Sequence, residues 1–360
     1  MDQAVAREFR CGNCGGQLAW DATSRALKCA NCGSAEPVHA SGAVVEHDLF
    51  SNWNSAQKGI GTAARTIACR ECGASVSFPA GTVSGRCTFC GSPSVLEQHA
   101  NQGLLRPESL VPFAIDKRVA NYQFGKWIRG LWFRPSALAR MATVQEVNGV
   151  YVPFWTYDAD VDSDWQAQRG RYYYVEESYV ANENGQSVTR SRQVRHTRWE
   201  PASGRRRDSY DDLLVCASRG LPDHLADEFA TFNTKLLVPY APGYLAGWRA
   251  EEYAVDLQAG WRTAEGRIQR EQERRCKNDV GGDEVQYLTV NNQIRRATFK
   301  HVLLPVWLAA YRYQGKVYRF LVNGQTGEVV GKAPWSVVKI LAFVVFLAAL
   351  IGGIIFLANR

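Results

Sequence analysis

Four copies of one short unit, Cys-x-x-Cys-Gly, constrain this chain more than any other feature of its sequence. They are Cys11/Cys14, Cys29/Cys32, Cys69/Cys72 and Cys87/Cys90. Fourteen residues separate the first pair from the second, and fourteen separate the third from the fourth. The pattern C-x2-C-x14-C-x2-C is therefore written twice, at an offset of 58 residues. Two thiolates three positions apart grip one metal ion only if the chain turns tightly between them. The glycine after each second cysteine permits the positive φ that such a turn needs. Two knuckles joined by a short hairpin offer four sulfurs at about 2.3 Å from a shared ion, a set that suits Zn2+. Each ribbon is too small to bury a core of its own, so metal binding would supply its folding energy.

Other uses of these thiols fit less well. Disulfides are disfavoured because the opening MDQAVAREFR has no apolar stretch of a secretory leader, and neighbouring C-x-x-C pairs make poor bridges. Four identical copies fit ligation better than redox chemistry. Iron could use the same four sulfurs. The expectation is two structural Zn2+ ions, one held by Cys11, Cys14, Cys29 and Cys32 and one by Cys69, Cys72, Cys87 and Cys90. A closed four-sulfur site leaves no position for a reactive water. Cys216 and Cys276 stand alone and are expected to be buried or free thiols.

The chain has 360 residues, 46% of them hydrophobic and 21% charged, an ordinary globular composition with room for two or three domains. Its net charge is +7, but residues 1–98 hold eight basic and eight acidic side chains, so the surplus lies beyond them. Two loaded ribbons, each Zn2+ plus four thiolates, would take that part to about −4. Each knuckle has one adjacent cation, Arg10, Lys28, Arg70 or Arg86, expected to partner the sulfur charge. A nucleic-acid-binding ribbon should carry a basic surplus, so these ribbons suit contact with protein better.

At the other end, Ile340–Ala358 is an uninterrupted apolar run of 19 residues. As a helix it would span about 28 Å, close to a bilayer core. Trp335 and Lys339 stand where an interfacial anchor belongs. Lys332 and Lys339 precede the run and only Arg360 follows it, which predicts a single-pass tail anchor with the N-terminal bulk in the cytoplasm. The reduced cysteines require the same side. Ala348/Gly352 and Ala349/Gly353 are small-xxx-small pairs that allow close helix packing.

Between these ends, residues 99–334 read as one α+β unit with an internal echo. Val111-Pro112-Phe113, a helix, then Tyr151-Val152-Pro153-Phe154-Trp155 is answered by Val238-Pro239-Tyr240, a helix, then Leu304-Pro305-Val306-Trp307. The first helix places Phe124, Trp127, Ile128 and Leu131 on one face, and the second places Tyr253, Leu257, Trp261, Ala264 and Ile268. Each proline is expected at a strand start, where it costs no ladder bond. Hairpins are expected over about 170–200, turning at Asn182–Gly185, and over 317–330 through Asn323–Gly327. The return strand of the first is basic, with seven arginines and one acid between Gln186 and Arg207. A solvated strand, contact with the anionic leaflet, and binding of nucleic acid or an acidic protein all remain open for it. Tyr172, Tyr173 and Tyr174 oppose it and could stack bases. Asp158, Asp160, Asp162 and Asp164 alternate, so a strand would put them on one face. Ser163 and Arg169, at the sixth and twelfth positions, break the Ca2+-loop pattern.

The motifs of several enzyme classes do not occur: no G-x-x-x-x-G-K-[ST], no H-E-x-x-H, no G-x-S-x-G. The six histidines show no ligand or triad spacing. The expectation is a protein that is not an enzyme and takes no small-molecule substrate.

The paired ribbons, YVPFWTYDADVDSDW (151–165), RQVRHTRWEPASG (192–204), VPYAPGYLAGWRAEEY (238–253) and LLPVWLAAYRYQGKVYRFLVNGQTGEVVG (303–331) together resemble a bacterial family of membrane-anchored double zinc-ribbon proteins. Such proteins are often labelled primosomal replication-factor or superfamily II helicase-like, with a TFIIB-type zinc ribbon. This sequence has no nucleotide-binding loop, so helicase activity is rejected. The family is associated with flotillin-like (SPFH) and phage-shock-type proteins, and the resemblance implies a scaffold that recruits such partners to the membrane. The expected organisation is zinc ribbon 1 over 1–38, a linker over 39–65, zinc ribbon 2 over 66–98, the pseudo-duplicated helix-plus-antiparallel-sheet domain over 99–334, and a transmembrane anchor over 335–360. The expected function is protein binding at the cytoplasmic face of the inner membrane. The competing reading is nucleic-acid binding through the ribbons and 186–207.

Overall fold

The computed structural model describes residues 9–53, 65–78, 87–90, 92, 95–99, 105–136, 147–183, 186–229, 231–313 and 316–358. In chain order the strands and helices are β1 (Leu18–Asp21), β2 (Ala26–Cys29), β3 (Ala35–Glu36), β4 (His47–Asp48), β5 (Arg65–Cys69), β6 (Ser75–Phe78), β7 (Val95–His99), β8 (Ser109–Leu110), α1 (Lys117–Gly130), β9 (Asn148–Glu183) and β10 (Gln186–Cys216). They continue with α2 (Asp223–Phe229), β11 (Val238–Pro239), β12 (Arg249–Glu251), α3 (Leu257–Val280), β13 (Glu284–Tyr313), β14 (Lys316–Asn323), β15 (Val329–Gly331) and α4 (Val337–Ala358). The protein is mixed α+β, as the sequence predicts, with two four-cysteine clusters near the N-terminus and one apolar C-terminal helix.

The centre of the molecule is the antiparallel pair β9–β13. Its middle is buried on both faces, so its sequence shows a near-continuous apolar run rather than an alternation. Val150, Val152 and Phe154 of β9 join Val302, Leu304, Val306 and Leu308 of β13 in one core on one face. Tyr151 with Leu303 and Trp307, and Trp155 with Tyr157 and Phe299, build two cores on the other. The helix α1 lays Ala120, Phe124 and Ile128 against that second face, and α3 follows with a stripe from Leu257 to Val280. Gly260 lies where α3 crosses Trp155 and Tyr157, and a Cβ there would collide with the Tyr157 hydroxyl and the Trp155 ring.

The internal echo is a structural exchange, but not with the expected partner segments: Val238-Pro239 pairs with Ser109-Leu110, and the counterpart of the strand before α1 is β12. Asp116 caps α1 by accepting from the Val119 amide at 2.7 Å, and Asp256 caps α3 by accepting from the Ala259 amide at 2.7 Å. The short strand before each helix pairs in parallel with the long strand of the opposite half: β8 with β13, and β12 with β9.

Pro153 and Pro305 sit inside their strands, not at the starts, because β9 and β13 begin far earlier than the apolar signal; Pro112 follows β8 and Pro239 ends β11. At Pro153, β12 has finished pairing at Tyr151 and β10 takes over at Phe154. At Pro305, β8 has finished at Leu303 and β14 takes over at Val306. The Pro153 carbonyl accepts from Ala217 at 3.0 Å, and the Pro305 carbonyl from Gly324 at 2.8 Å. Each proline nitrogen faces that same side, where one neighbour hands over to the next, so no ladder bond is lost.

The ribbons are joined to this core. In the first, β1, β2 and β3 form a separate small sheet, but Trp20 donates its indole N–H to the Phe113 carbonyl at 3.2 Å and packs with Tyr244. In the second, β5, β6 and β7 extend the large sheet through the β6–β12 pairing. The hairpin expected over 170–200 is the outer part of a much longer one, β9–β10; its turn residues 184–185 lie outside the described residues.

Candidate metal centres

The same backbone device shapes each knuckle. The amide of Cys11 bonds to the carbonyl of Gly16 (2.7 Å), Cys29 to Ser34 (2.9 Å), Cys69 to Ala74 (2.9 Å) and Cys87 to Ser92 (2.8 Å). The glycine that follows each second cysteine turns back to the first. Gly15, Gly33 and Gly73 have φ of 70°, 75° and 74° and donate to the carbonyls of Cys11, Cys29 and Cys69. Gly91 lies outside the described residues.

These turns bring the eight cysteines named from spacing into two groups of four, with the sulfurs of each group within 4.8 Å of one another. In the first group Cys11 and Cys32 are 3.6 Å apart and Cys14 and Cys29 3.5 Å. In the second, Cys69 and Cys90 are 3.6 Å apart, as are Cys72 and Cys87. A tetrahedral ion with metal–sulfur bonds of 2.3 Å separates its ligands by about 3.8 Å. Either group can hold a metal ion with little movement, and the donor set is all thiolate.

Charge inside the groups is already unevenly shared. In the second, the hydrogen bond from Cys72 draws the Cys87 thiol down to about 5. The same contact, reinforced by burial, pushes Cys72 up. In the first, the Ser34 hydroxyl is the main reason that the Cys32 thiol falls to about 6. Ser34 Oγ lies 3.0 Å from the Cys11 sulfur and 3.1 Å from the Cys32 sulfur. Spacing alone overlooks this residue, although Cys-Gly-Ser recurs at Cys90–Ser92. Of the four cations flanking the knuckles, Arg10 reaches the Gly15 carbonyl at 3.5 Å, and Lys28 adds to the Ser24 amide and hydroxyl in lowering the Asp21 carboxyl. Arg86 lies outside the described residues.

The settings of the two groups differ. In the first, Cys14 and Cys32 are exposed. In the second, Cys69, Cys87 and Cys90 are buried. Phe89, within the last knuckle, is fully buried against Gly220, and its carbonyl accepts from Arg319 Nε at 2.9 Å. Thr88 receives Arg249 at 3.2 Å. Cys276 is on the buried face of α3 and Cys216 is half-buried; neither joins a group.

The acidic alternation behaves as a strand should, with Asp158, Asp160, Asp162 and Asp164 on one face of β9. Their partners come from within the chain. Asp160 accepts from Ser209, Asp162 from Arg207 and Arg295, and Asp164 from Arg205. Asp158 lies beside Asp211 and Asp212, but the buried Lys300 ammonium sits between Asp212 (2.7 Å) and Glu46 (2.9 Å) and supplies the positive charge. Burial raises Asp158 to about 6.

The arginines from 190 to 207 are equally engaged. Arg205 and Arg207 pair with β9, and Arg206 binds Asp208 and Asp279. Further out, Arg195 stacks over Tyr172, Arg198 over Tyr173 and Arg192 over Tyr179. Beyond Gly170 the hairpin has lost β13 as a neighbour. It continues as a two-stranded arm of 13 paired rungs, Arg171↔Arg198 to Glu183↔Gln186, held at its base by Tyr172, which donates its amide to Asp283 and its hydroxyl to Glu284, each at 2.7 Å. It exposes Tyr173, Tyr174, Val175, Tyr179, Val180 and Val188.

At the far end, α4 is 22 residues long with a mean hydropathy of 3.0, long and apolar enough to cross a membrane, and none of it is buried.

The chain is similar to the uncharacterized protein YdjG of Bacillus subtilis (strain 168), 28% identical over 247 residues, which is 67% of each chain. No known family profile matches the chain, and no solved structure matches it.

Proposed function

We propose that this protein is a membrane-anchored, non-enzymatic zinc-ribbon scaffold that binds other proteins at the cytoplasmic face of a bacterial inner membrane. In this reading both sulfur groups hold structural Zn2+, and α4 is a single membrane span. The resemblance to membrane-anchored double-ribbon proteins makes flotillin-like or phage-shock-type proteins the first partners to test.

The observation that carries the reading is the arm over 171–198. An isolated two-stranded ribbon is marginal in water, and this one is about 40 Å long. It is stiffened by the three arginine–tyrosine stacks, each contributing about 0.5–1 kcal/mol at an exposed site. A long arm that keeps aromatic and β-branched side chains in solvent is built to be covered by a partner. All-sulfur ligand sets support a framework role for the metal.

The test is a photo-crosslinking amino acid at Tyr174 or Val180 in the full chain, expressed in its own membranes. Crosslinks to a discrete membrane protein are expected, with two zinc ions per chain by elemental analysis. The arginine–tyrosine ladder also offers stacking surfaces to nucleic acid. Crosslinks to DNA or RNA, with binding lost steeply as salt rises, would replace the scaffold reading by that one. Recovery of the full chain in the soluble fraction would remove the anchor from either.

A further inference from the structure

The end of α1 is fastened to the beginning of α4. The Phe133 carbonyl accepts from the Ser336 amide at 2.8 Å, and the Trp132 carbonyl accepts from Lys339 Nζ at 3.1 Å. The rings of Phe133 and Phe343 meet edge to face at 5.2 Å, and the Arg134 guanidinium lies 3.6 Å over the ring of Trp335. Lys339 is the last charged residue before the apolar run. The junction therefore holds the C-terminal end of α1 at the level where α4 changes from polar to apolar.

The outward face of α1 has a consistent chemistry. Arg118, Tyr122, Lys126 and Arg129 are all exposed and fall within about 80° of one another around the helix. Trp132, just past the helix, is 76% exposed. The opposite face is occupied by the domain, with Phe124 and Trp127 against Phe320. No acidic residue occurs between Lys117 and Gln145. Among the described residues Arg118, Lys126 and Arg129 make no ion pair, in contrast to the arginines of 190–207.

We propose that this face of α1, with Trp132 and Trp335, docks on the anionic lipid headgroups of the leaflet that α4 enters. The inference rests on the membrane reading above and adds a second contact to it. Cations close to an anionic leaflet each strengthen attachment, and exposed tryptophans settle at the headgroup level. A helix held at one end and dressed with basic residues on its free face matches that surface in charge and position. The leaflet contact is thereby assigned to α1, and the basic return strand of the arm is left to other partners.

The test uses the full chain reconstituted in vesicles of phosphatidylcholine alone or with about one-third phosphatidylglycerol. A fluorescent amino acid at Tyr122 reports quenching by headgroup spin-labelled lipid. The same amino acid at Ala349 reports quenching by lipid brominated deep in its chains. The Ala349 probe should be quenched in both vesicles and the Tyr122 probe only in the anionic ones. Changing Arg118, Lys126 and Arg129 to Gln should weaken the docking equilibrium roughly 100-fold and erase the difference. An unquenched Ala349 probe would refute the membrane reading. A quenched Ala349 probe with a Tyr122 probe indifferent to lipid charge would refute this inference alone. These side chains are exposed, and unchanged zinc content would show the variant folded.

Discussion

The two four-sulfur groups are built from one repeated unit yet set in different surroundings. The first leaves two of its cysteines in solvent and closes a small sheet of its own, touching the domain through Trp20, Ala19 and Leu27. The second is buried, its strands belong to the large sheet, and its last knuckle is clasped by Arg249, Gly220 and Arg319. The knuckle hydrogen bonds are alike in both, so they do not decide how much the rest of the fold depends on a group. The packing around the knuckle decides that. The second group should act as a keystone of the sheet, and the first as a docked appendage.

The largest effect should separate them directly. Cys87→Ser should cost several kcal/mol, because a structural metal ion held by four thiolates contributes on the order of 10 kcal/mol to a small fold and the lost knuckle is core. The whole domain should lose thermal stability and amide protection in β9 and β13. Cys14→Ser should lose one metal ion while protection in those strands persists; equal collapse in both variants would break the comparison.

Next in size is the joint between the first ribbon and the domain. Trp20→Ala removes a buried ring and its hydrogen bond to Phe113, and should cost about 3–5 kcal/mol. Limited proteolysis should then release the ribbon with its metal still bound. If the metal is lost as well, the first group depends on its docking more than its exposure implies.

A pH series sharpens the contrast further. Glu251, on the strand that pairs with the second ribbon, is raised by burial to about 8, against an ordinary value near 4.5. The folded state holds this proton more tightly than the unfolded one, so stability falls as pH rises between those two values. The slope should be roughly 1 kcal/mol per pH unit between about pH 6 and 8. Glu251→Gln should flatten it in a denaturant titration. An unchanged slope would show that the carboxyl ionises at little cost and that this surround is wetter than its burial indicates.

The smallest effect concerns Ser34. Ser34→Ala removes a hydroxyl shared by two sulfurs of the first group and should weaken it by about 1 kcal/mol. Metal transfer to a chromophoric chelator should speed up about fivefold from the first group and not from the second.

The two groups of four cysteines were legible in the sequence because a knuckle is a local object: spacing and a glycine specify it within five residues. The helix faces were legible for the same reason, with Phe124, Ile128, Trp261 and Ile268 buried as their period requires, although Leu131 and Tyr253 lie just outside the helices. Strand length was not, because β9 and β13 run on through polar, solvent-facing residues that carry no apolar signal. The proline positions were misplaced with it, since their tolerance depends on which neighbours hand over at that rung. The junction of Trp132 with α4, and the docking of Trp20 on Phe113, join residues far apart in the chain. No local pattern announces such meetings.

The exchange of short strands between the halves has a consequence for synthesis. Each half lends the other a piece of its sheet, so neither can complete its hydrogen bonding alone. The first half leaves the ribosome with an unfilled place beside β9 that only the second half can occupy. It must wait with that edge open, where a chaperone or a wrong partner could pair with it. The apolar helix α4 follows the last strand of the sheet in the chain, so it is made after every strand that closes the sheet.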